Sequence, residues 1–284
     1  MPPFNKRKNG LLQDFSRAFY KLRVGISPKK VHRIRTTIRR IESFIGLSHS
    51  KLGRKHRDLV EELTDLRKRA GRVRNFDVRI RLLGSIANRS TVSDRRVLLQ
   101  LFKARREKQS RRLSSLLKKL DKSELLGRLQ KLLEKSSFTD DSGQPIHPLE
   151  EAKSDLLKLA FDVPGGENLK PRLLHELRIN LKHIRYTAEL VEESAAREHF
   201  LETLKSVQDA IGEWHDWESL VNIAETQFGD RVNCPLLVEM RSLFAVKYSA
   251  ANSAVAGLLA SLAPVPKKQP RPSSSDHRQA RLAS

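Results

Sequence analysis

Apolar residues recur at three- and four-residue spacing through most of the chain, and no segment sustains an alternation of apolar and polar residues. A backbone patterned this way closes its hydrogen bonds within helices, so the fold class is all-α. The second helix is the clearest. Ser27-Pro28 offers an N-cap and a first-turn proline, and Val31, Ile34, Ile38, Ile41 and Ile45 then keep one face until Gly46. A third helix carries Leu59, Leu63, Leu66, Ala70, Val73 and Ile80, and Ser93 or Asp94 is expected to cap a fourth that reaches about Leu120. From Lys135 to Pro148 the polar run around Thr139-Asp140-Asp141-Ser142-Gly143 reads as a loop. Further helices are expected near 149–161, 169–193, 197–227 and 235–262.

The chain repeats itself. Val31-His32-Arg33-Ile34-Arg35, followed by Ile38-Arg39-Arg40-Ile41, matches Leu174-His175-Glu176-Leu177-Arg178, followed by Leu181-Lys182-His183-Ile184, at an offset of 143. At 141, Leu66, Gly71, Arg74, Asp77 and Ile80 fall on Val207, Gly212, His215, Glu218 and Val221; at 142, Leu101-Phe102 and Arg105 fall on Leu243-Phe244 and Lys247. Three helices in the same order, with offsets differing by a residue or two, imply a duplicated helical unit.

Charge then narrows the class of partner. The 284 residues include 55 Lys+Arg against 33 Asp+Glu, a net charge of +22, with only 6% aromatic residues. That pairing favours binding of a polyanion by charge over stacking of bases. Residues 1–150 hold 38 basic and 15 acidic side chains, residues 151–284 hold 17 and 18, so the cationic surface belongs to the first half. The single cysteine, Cys234, excludes a disulfide scaffold and a thiolate metal cage and fits a reducing compartment. Met1 to Leu12 is basic without the apolar core of a signal peptide, and the uncharged stretch Tyr248 to Pro266, interrupted by Asn252, reads as a soluble helix and not as a membrane span.

The basic residues form rows. His32, Arg35 and Arg39 stand at i, i+3 and i+7, each one residue past the apolar stripe and so about 100° round the helix. His175, Arg178, Lys182 and Arg185 repeat the row, and Arg67, Arg74 and Arg81 do the same after Leu66, Val73 and Ile80. Such rows look along an interface between helices; as bland packing they would bury their stems and snorkel to water. On the fourth helix Lys103, Arg105, Arg106, Lys108, Arg111 and Arg112, opposed only by Glu107, cover every side of the segment. Some of them are therefore expected to face inward, onto a solvated concave surface that an anion can fill. Asp77 and Glu218, on stripe positions, are expected to pair with neighbouring arginines.

Enzyme motifs fail. His175-Glu176 begins like a zincin helix, but the second histidine position is Ile179. His215-Asp216 lacks supporting metal ligands, and no glycine-rich phosphate loop, nucleophile elbow or carboxylate pair is present. No cofactor and no bound metal are expected.

The stretches Val31-His32-x-x-Arg35-x-x-x-Arg39-Arg40, Arg74-Asn75-Phe76-Asp77-Val78 and Leu174-His175-x-x-Arg178-x-x-x-Lys182-x-x-Arg185-Tyr186 resemble the CHAD domain, a conserved-histidine α-helical domain, over about residues 10–262. The resemblance implies two four-helix units related by pseudo-twofold symmetry, a basic groove or cavity between them, and binding of inorganic polyphosphate without turnover. The chain then divides into a basic segment 1–9, a first unit 10–135, a linker 136–148, a second unit 149–262 and a disordered Pro/Ser-rich tail 263–284. The anion-site candidates are His32, Arg35, Arg39, Arg40, Arg67, Arg74, Arg105, Arg106, Lys108, Arg112, His175, Arg178, Lys182, His183, Arg185 and Lys247. His215-Asp216 departs from the Asn-Asp pair of many members. The expected function is a cytoplasmic, non-enzymatic binder of long-chain polyphosphate, associated with polyphosphate granules; a nucleic-acid binder and a metal-dependent phosphohydrolase are the alternatives.

Overall fold

The computed structural model describes residues 3–48, 53–136, 144–163, 169–229 and 234–262. Among them are nine α-helices: α1 (Pro3–Val24), α2 (Pro28–Leu47), α3 (Arg54–Ser85), α4 (Val92–Lys119), α5 (Lys122–Lys135), α6 (Pro148–Asp162), α7 (Pro171–Ala188), α8 (Ala195–Phe228) and α9 (Pro235–Leu262). One 3-10 turn, Arg89–Thr91, precedes α4, and the described residues include no β-strand. The all-α expectation holds. The expected disorder of the tail, and residues 137–143 of the expected linker, lie outside the described residues.

Local chemistry sets the ends. Ser27 stands in extended conformation before Pro28, and the stripe that starts at Val31 is buried to Ile45. Ser93 and Asp94 do not cap α4, because its start is displaced to Val92 by the 3-10 turn, which Asn88 caps by accepting from Ser90 N at 3.1 Å. Asp94 instead lies in the first turn, where the helix dipole favours an anion. The first half holds five helices where the sequence reading expects four. Asp121 accepts from Glu124 N at 2.8 Å and starts α5, which buries Leu125, Leu129, Leu132 and Leu133. Helix α7 stops at Ala188, short of the expected 193, because the next turn drives Leu190 into the core of the first half.

The core has three parts. One is built from α1, α2, the start of α3, the end of α4, and α5, with Leu190 added. A second is built from α6, α7, the start of α8 and the end of α9. The third joins the far ends of α3 and α8 to the starts of α4 and α9, with Phe102 and Trp217 among its buried residues. Helices α3 and α8, about 48 and 51 Å long at 1.5 Å per residue, thus tie a peripheral core to the shared one. α2 packs directly on α7. α9 is long and apolar enough to cross a membrane by length and composition. Its Asn252 is buried, accepting from Leu169 N at 2.7 Å and donating to Tyr248 O at 2.9 Å.

Candidate functional site

The α2–α7 contact decides which basic residues meet. The apolar stripes of both helices turn inward, so the rows one residue further round converge along the α2–α7 contact, with α3 packed on α2 beside it. There α2, α3 and α7 enclose a cavity of about 270 Å³ lined by Arg39, Glu42, Arg67, Arg178, Lys182, His183 and Tyr186. A larger depression of about 790 Å³ at the start of α3 is lined by Arg54, Lys55, Lys131 and Lys135 with Asp58 and Glu124 among them. Its four named cations are exposed, whereas Arg39, Arg67, Arg178 and Lys182 of the smaller cavity are half-buried.

Arg67 Nε donates to Glu42 Oε1 at 2.8 Å, an oxygen that also accepts from Thr64 Oγ1 at 2.9 Å. Holding a guanidinium by Nε leaves its terminal nitrogens for another anion. The Arg39 guanidinium lies 5.9 Å from the centre of the Tyr186 ring, within cation–π range. Arg35 lies against α3 where Gly71 has no side chain: a Cβ there would stand 3.5 Å from Arg35 Nε. Arg35 Nε and Arg178 Nε are both buried with no hydrogen-bond partner among the described residues. Buried donors left open are a standing demand for an acceptor.

Burial and mutual repulsion shift the titrations together. Burial, with Arg178, Arg39 and Arg35 adding to it and Asp216 opposing, lowers the Lys182 ammonium to about 7. Arg35 is lowered to about 10 by burial first and then Arg39, and remains a cation at neutral pH. Arg178 and Arg79 are lowered by burial, against the pull of Asp216. Asp216 is raised by burial despite Arg178, Lys182, Arg81 and Arg74 around it. His32, exposed on α2, is lowered by its partial desolvation and by Arg74, Arg35, Arg185 and Arg40.

The structure therefore lines one cavity with Arg39, Arg67, Arg178, Lys182 and His183, while Arg35, Arg74 and His32 stand outside the lining, with Arg35 close enough to act on Lys182 and Arg74 and Arg35 on His32. It does not bring the α4 residues there. Of the six cations expected to cover that helix, Arg106 alone turns inward, donating to Asp77 Oδ1 at 2.6 Å, while Lys103, Arg105, Lys108, Arg111 and Arg112 are exposed. The stripe passes through Phe102, Arg106, Ser110 and Leu113, so a small serine removes the need to bury a charge. Lys247 is paired with Glu213 at 2.8 Å. Arg40 and Arg185 are taken by Glu189, whose buried carboxylate accepts from Arg40 Nε at 2.6 Å and Arg185 Nε at 2.8 Å. Burial pushes the Glu189 carboxyl up, but these two cations win and hold it below its usual range. Arg7 donates to the Glu189 carbonyl, so one residue joins α1, α2 and α7.

Glu218 departs from the expected arginine pairing. Its Oε2 lies 3.5 Å from His215 Nδ1, which is held to about 3 by burial, Arg178 and His175, so His215 is neutral and the contact is no ion pair. The His175 and His215 rings are 5.1 Å apart. Among the described residues no three His, Cys, Asp or Glu side chains gather as metal ligands. Glu42, Glu189 and Arg79 are parts of the site that the sequence reading passes over, and Asp216, weighed there only in the His215-Asp216 pair, joins them. The repeat carried a signal for two of them: Glu42 falls on Arg185 at an offset of 143, and Asp216 falls on Asn75 at 141.

The fold and site define a class: an all-helical protein in which two histidine-bearing helices meet beside a cationic cavity. The family model described as the CHAD domain matches residues 10–223, and the chain belongs to that family. It is similar in structure to the crystal structure of the CHAD domain from the plant Ricinus communis, with a TM-score of 0.66 and 16% identity over 92% of this chain and 91% of that one. It is likewise similar to PptA from Streptomyces chartreusis, with a TM-score of 0.65 and 15% identity over 92% and 99%. No curated protein matches it by sequence.

Proposed function

We propose that this protein binds inorganic polyphosphate, without turnover, in a basic groove centred on the α2–α3–α7 cavity. The observation that carries the reading is the convergence of Arg39, Arg67, Arg178 and Lys182 from three helices on one cavity, with the Nε donors of Arg35 and Arg178 left open. A chain of phosphates offers closely spaced oxygens to a fixed set of guanidinium forks, which take them in bidentate fashion. Family membership is consistent with it.

The groove follows from a pseudo-twofold duplication. The starts of α2 and α7 are 143 residues apart, those of α3 and α8 are 141 apart, and those of α4 and α9 are 143 apart. Equivalent pairs pack alike, α1 on α2 as α6 on α7, and α3 on α4 as α8 on α9. Arg35 and Arg178, and Arg39 and Lys182, are mates under this relation, which explains why both rows face one place. The protein is placed in the cytoplasm, in association with polyphosphate granules, as part of this proposal.

A titration with polyphosphate of defined length, with duplex DNA as competitor at fixed salt and phosphate release followed in parallel, tests the reading. Tight polyphosphate binding that DNA displaces poorly, with no release, is the expected result. Preference for DNA, or metal-dependent release, replaces it with one of the alternatives.

A further inference from the structure

Lys182 shares its cavity with three guanidiniums, and that company changes what an amine can do. The same cavity is lined from α2 by Arg39 and the carboxylate of Glu42, from α3 by Arg67, and from α7 by Arg178, His183 and Tyr186, while Arg35 on α2 and the carboxyl of Asp216 on α8 act on the amine from beyond the lining. An ordinary lysine is a spectator at neutral pH because its lone pair is occupied by a proton. A lysine desolvated beside other cations loses that proton and becomes a nucleophile. Here burial and the guanidiniums bring the proton off at about 7, so a large share of Lys182 is the free amine under ordinary conditions. The same guanidiniums stay charged and gather anions. A reagent with an electrophilic carbon beside a phosphate would be held by its phosphate with that carbon near Nζ.

We propose that Lys182 is a site of acylation by small acyl phosphates. The Nζ lone pair adds to the carbonyl carbon while Arg39 and Arg178 hold the phosphate oxygens. The C–O bond to phosphate then breaks, and inorganic phosphate leaves carrying the proton shed by nitrogen. The product is a neutral amide on Lys182, and no oxidant, reductant or further reactant enters. Acylation removes one of the cations of the cavity, so polyanion binding weakens; that consequence rests on the polyphosphate reading, whereas the transfer itself does not.

The experiment uses the full chain and acetyl phosphate, with acetylation followed at each lysine by peptide mass spectrometry. At about pH 7.5 Lys182 is expected to react at least roughly tenfold faster than exposed Lys29 and Lys118, which have no cluster of guanidiniums around them to gather the phosphate and favour the free amine. Its rate should level off above about pH 7. Excess sulfate should slow Lys182 alone, and acetic anhydride, which has no phosphate to anchor, should show a smaller preference. Equal rates at all three lysines, or a Lys182 rate that keeps climbing well above pH 7, overturn the proposal. Fast labelling that polyphosphate does not protect against leaves the acylation site standing and removes the polyphosphate reading.

Discussion

Glu42 Oε1 accepts the Nε–H of Arg67 at 2.8 Å, and at the positions matched to them by the sequence offsets of 143 and 141, Arg185 Nη1 donates to Gln208 Oε1 at 3.2 Å. The carboxylate at 42 becomes a guanidinium at 185, and the guanidinium at 67 becomes an amide at 208. The cavity therefore has one anionic wall. Glu42→Gln keeps an oxygen for Arg67 Nε and removes the charge, so it should tighten polyphosphate binding by roughly two- to fivefold, the scale of a partly exposed charge contact. Isothermal titration against wild type checks this, and weaker binding would mean that Glu42 orients Arg67 more than it repels the ligand.

Asp216 is a second internal anion, surrounded by Arg178, Lys182, Arg81 and Arg74. Asp216→Asn places there the residue already present at the equivalent Asn75. Unliganded stability should not fall, since burial outweighs these cations and leaves the ionised Asp216 disfavoured in the folded state. Polyphosphate affinity should rise by roughly fivefold, about 1 kcal/mol. Thermal unfolding with and without ligand checks both: the Asn variant should start no lower than wild type and gain more on binding.

Lys182 sets the pH dependence. It is charged below about pH 7 and neutral above, so polyanion affinity should fall as pH rises through 7. For stability the sign is opposite. The folded pKa lies below the unfolded value of 10.5, the unfolded chain alone keeps the proton between about 7 and 10, and stability contributed by this group rises across that window. The sequence points to His32 and His175 for this role. The structure favours Lys182, so Lys182→Arg should flatten the affinity profile between pH 7 and 9 while His32→Gln/His175→Gln keeps it, as binding titrations at both pH values would show.

Glu189 is a structural clamp. Its side chain is 5% exposed, against 36% for Arg40 and 42% for Arg185. Glu189→Ala should cost about 2–3 kcal/mol in chemical denaturation, less than the ~3–5 of a fully buried pair because both arginines reach water.

Binding should be strongly salt-dependent, falling by roughly a thousandfold between about 50 and 200 mM salt if about six phosphates are contacted, by analogy with duplex DNA. Neutralising Arg39 and Arg178 together should weaken it far more than neutralising exposed Arg105 and Arg112. Equal losses from the two double variants would move the site onto α4.

Much of this was legible before any coordinates. The stripe from Val31 to Ile45 reads as a helix because burial of one face at helical spacing leaves no other solution. The rows through His32 and His175 are legible for the same reason, since position on a helix follows from number. Helix α5 is not legible with the same ease: 14 residues with a leucine stripe become a helix through Asp121 and through packing on α1 and α3. Nor is the end of α7, where burial of Leu190 in the core built by α1 to α5 of the first half overrides a helical pattern.

By itself the sequence determined an all-helical chain, its repeat and the faces on which its cations stand, because these depend on spacing along one helix. Which of the cations share a cavity was decided only by tertiary structure. α2 packing on α7 brings Arg39 to Lys182, Ser110 spares α4 from burying more than Arg106, and Glu189 withdraws Arg40 and Arg185 from the anion. Charge is a property of composition, but the desolvation that brings Lys182 to about 7 exists only where neighbouring helices exclude water from it.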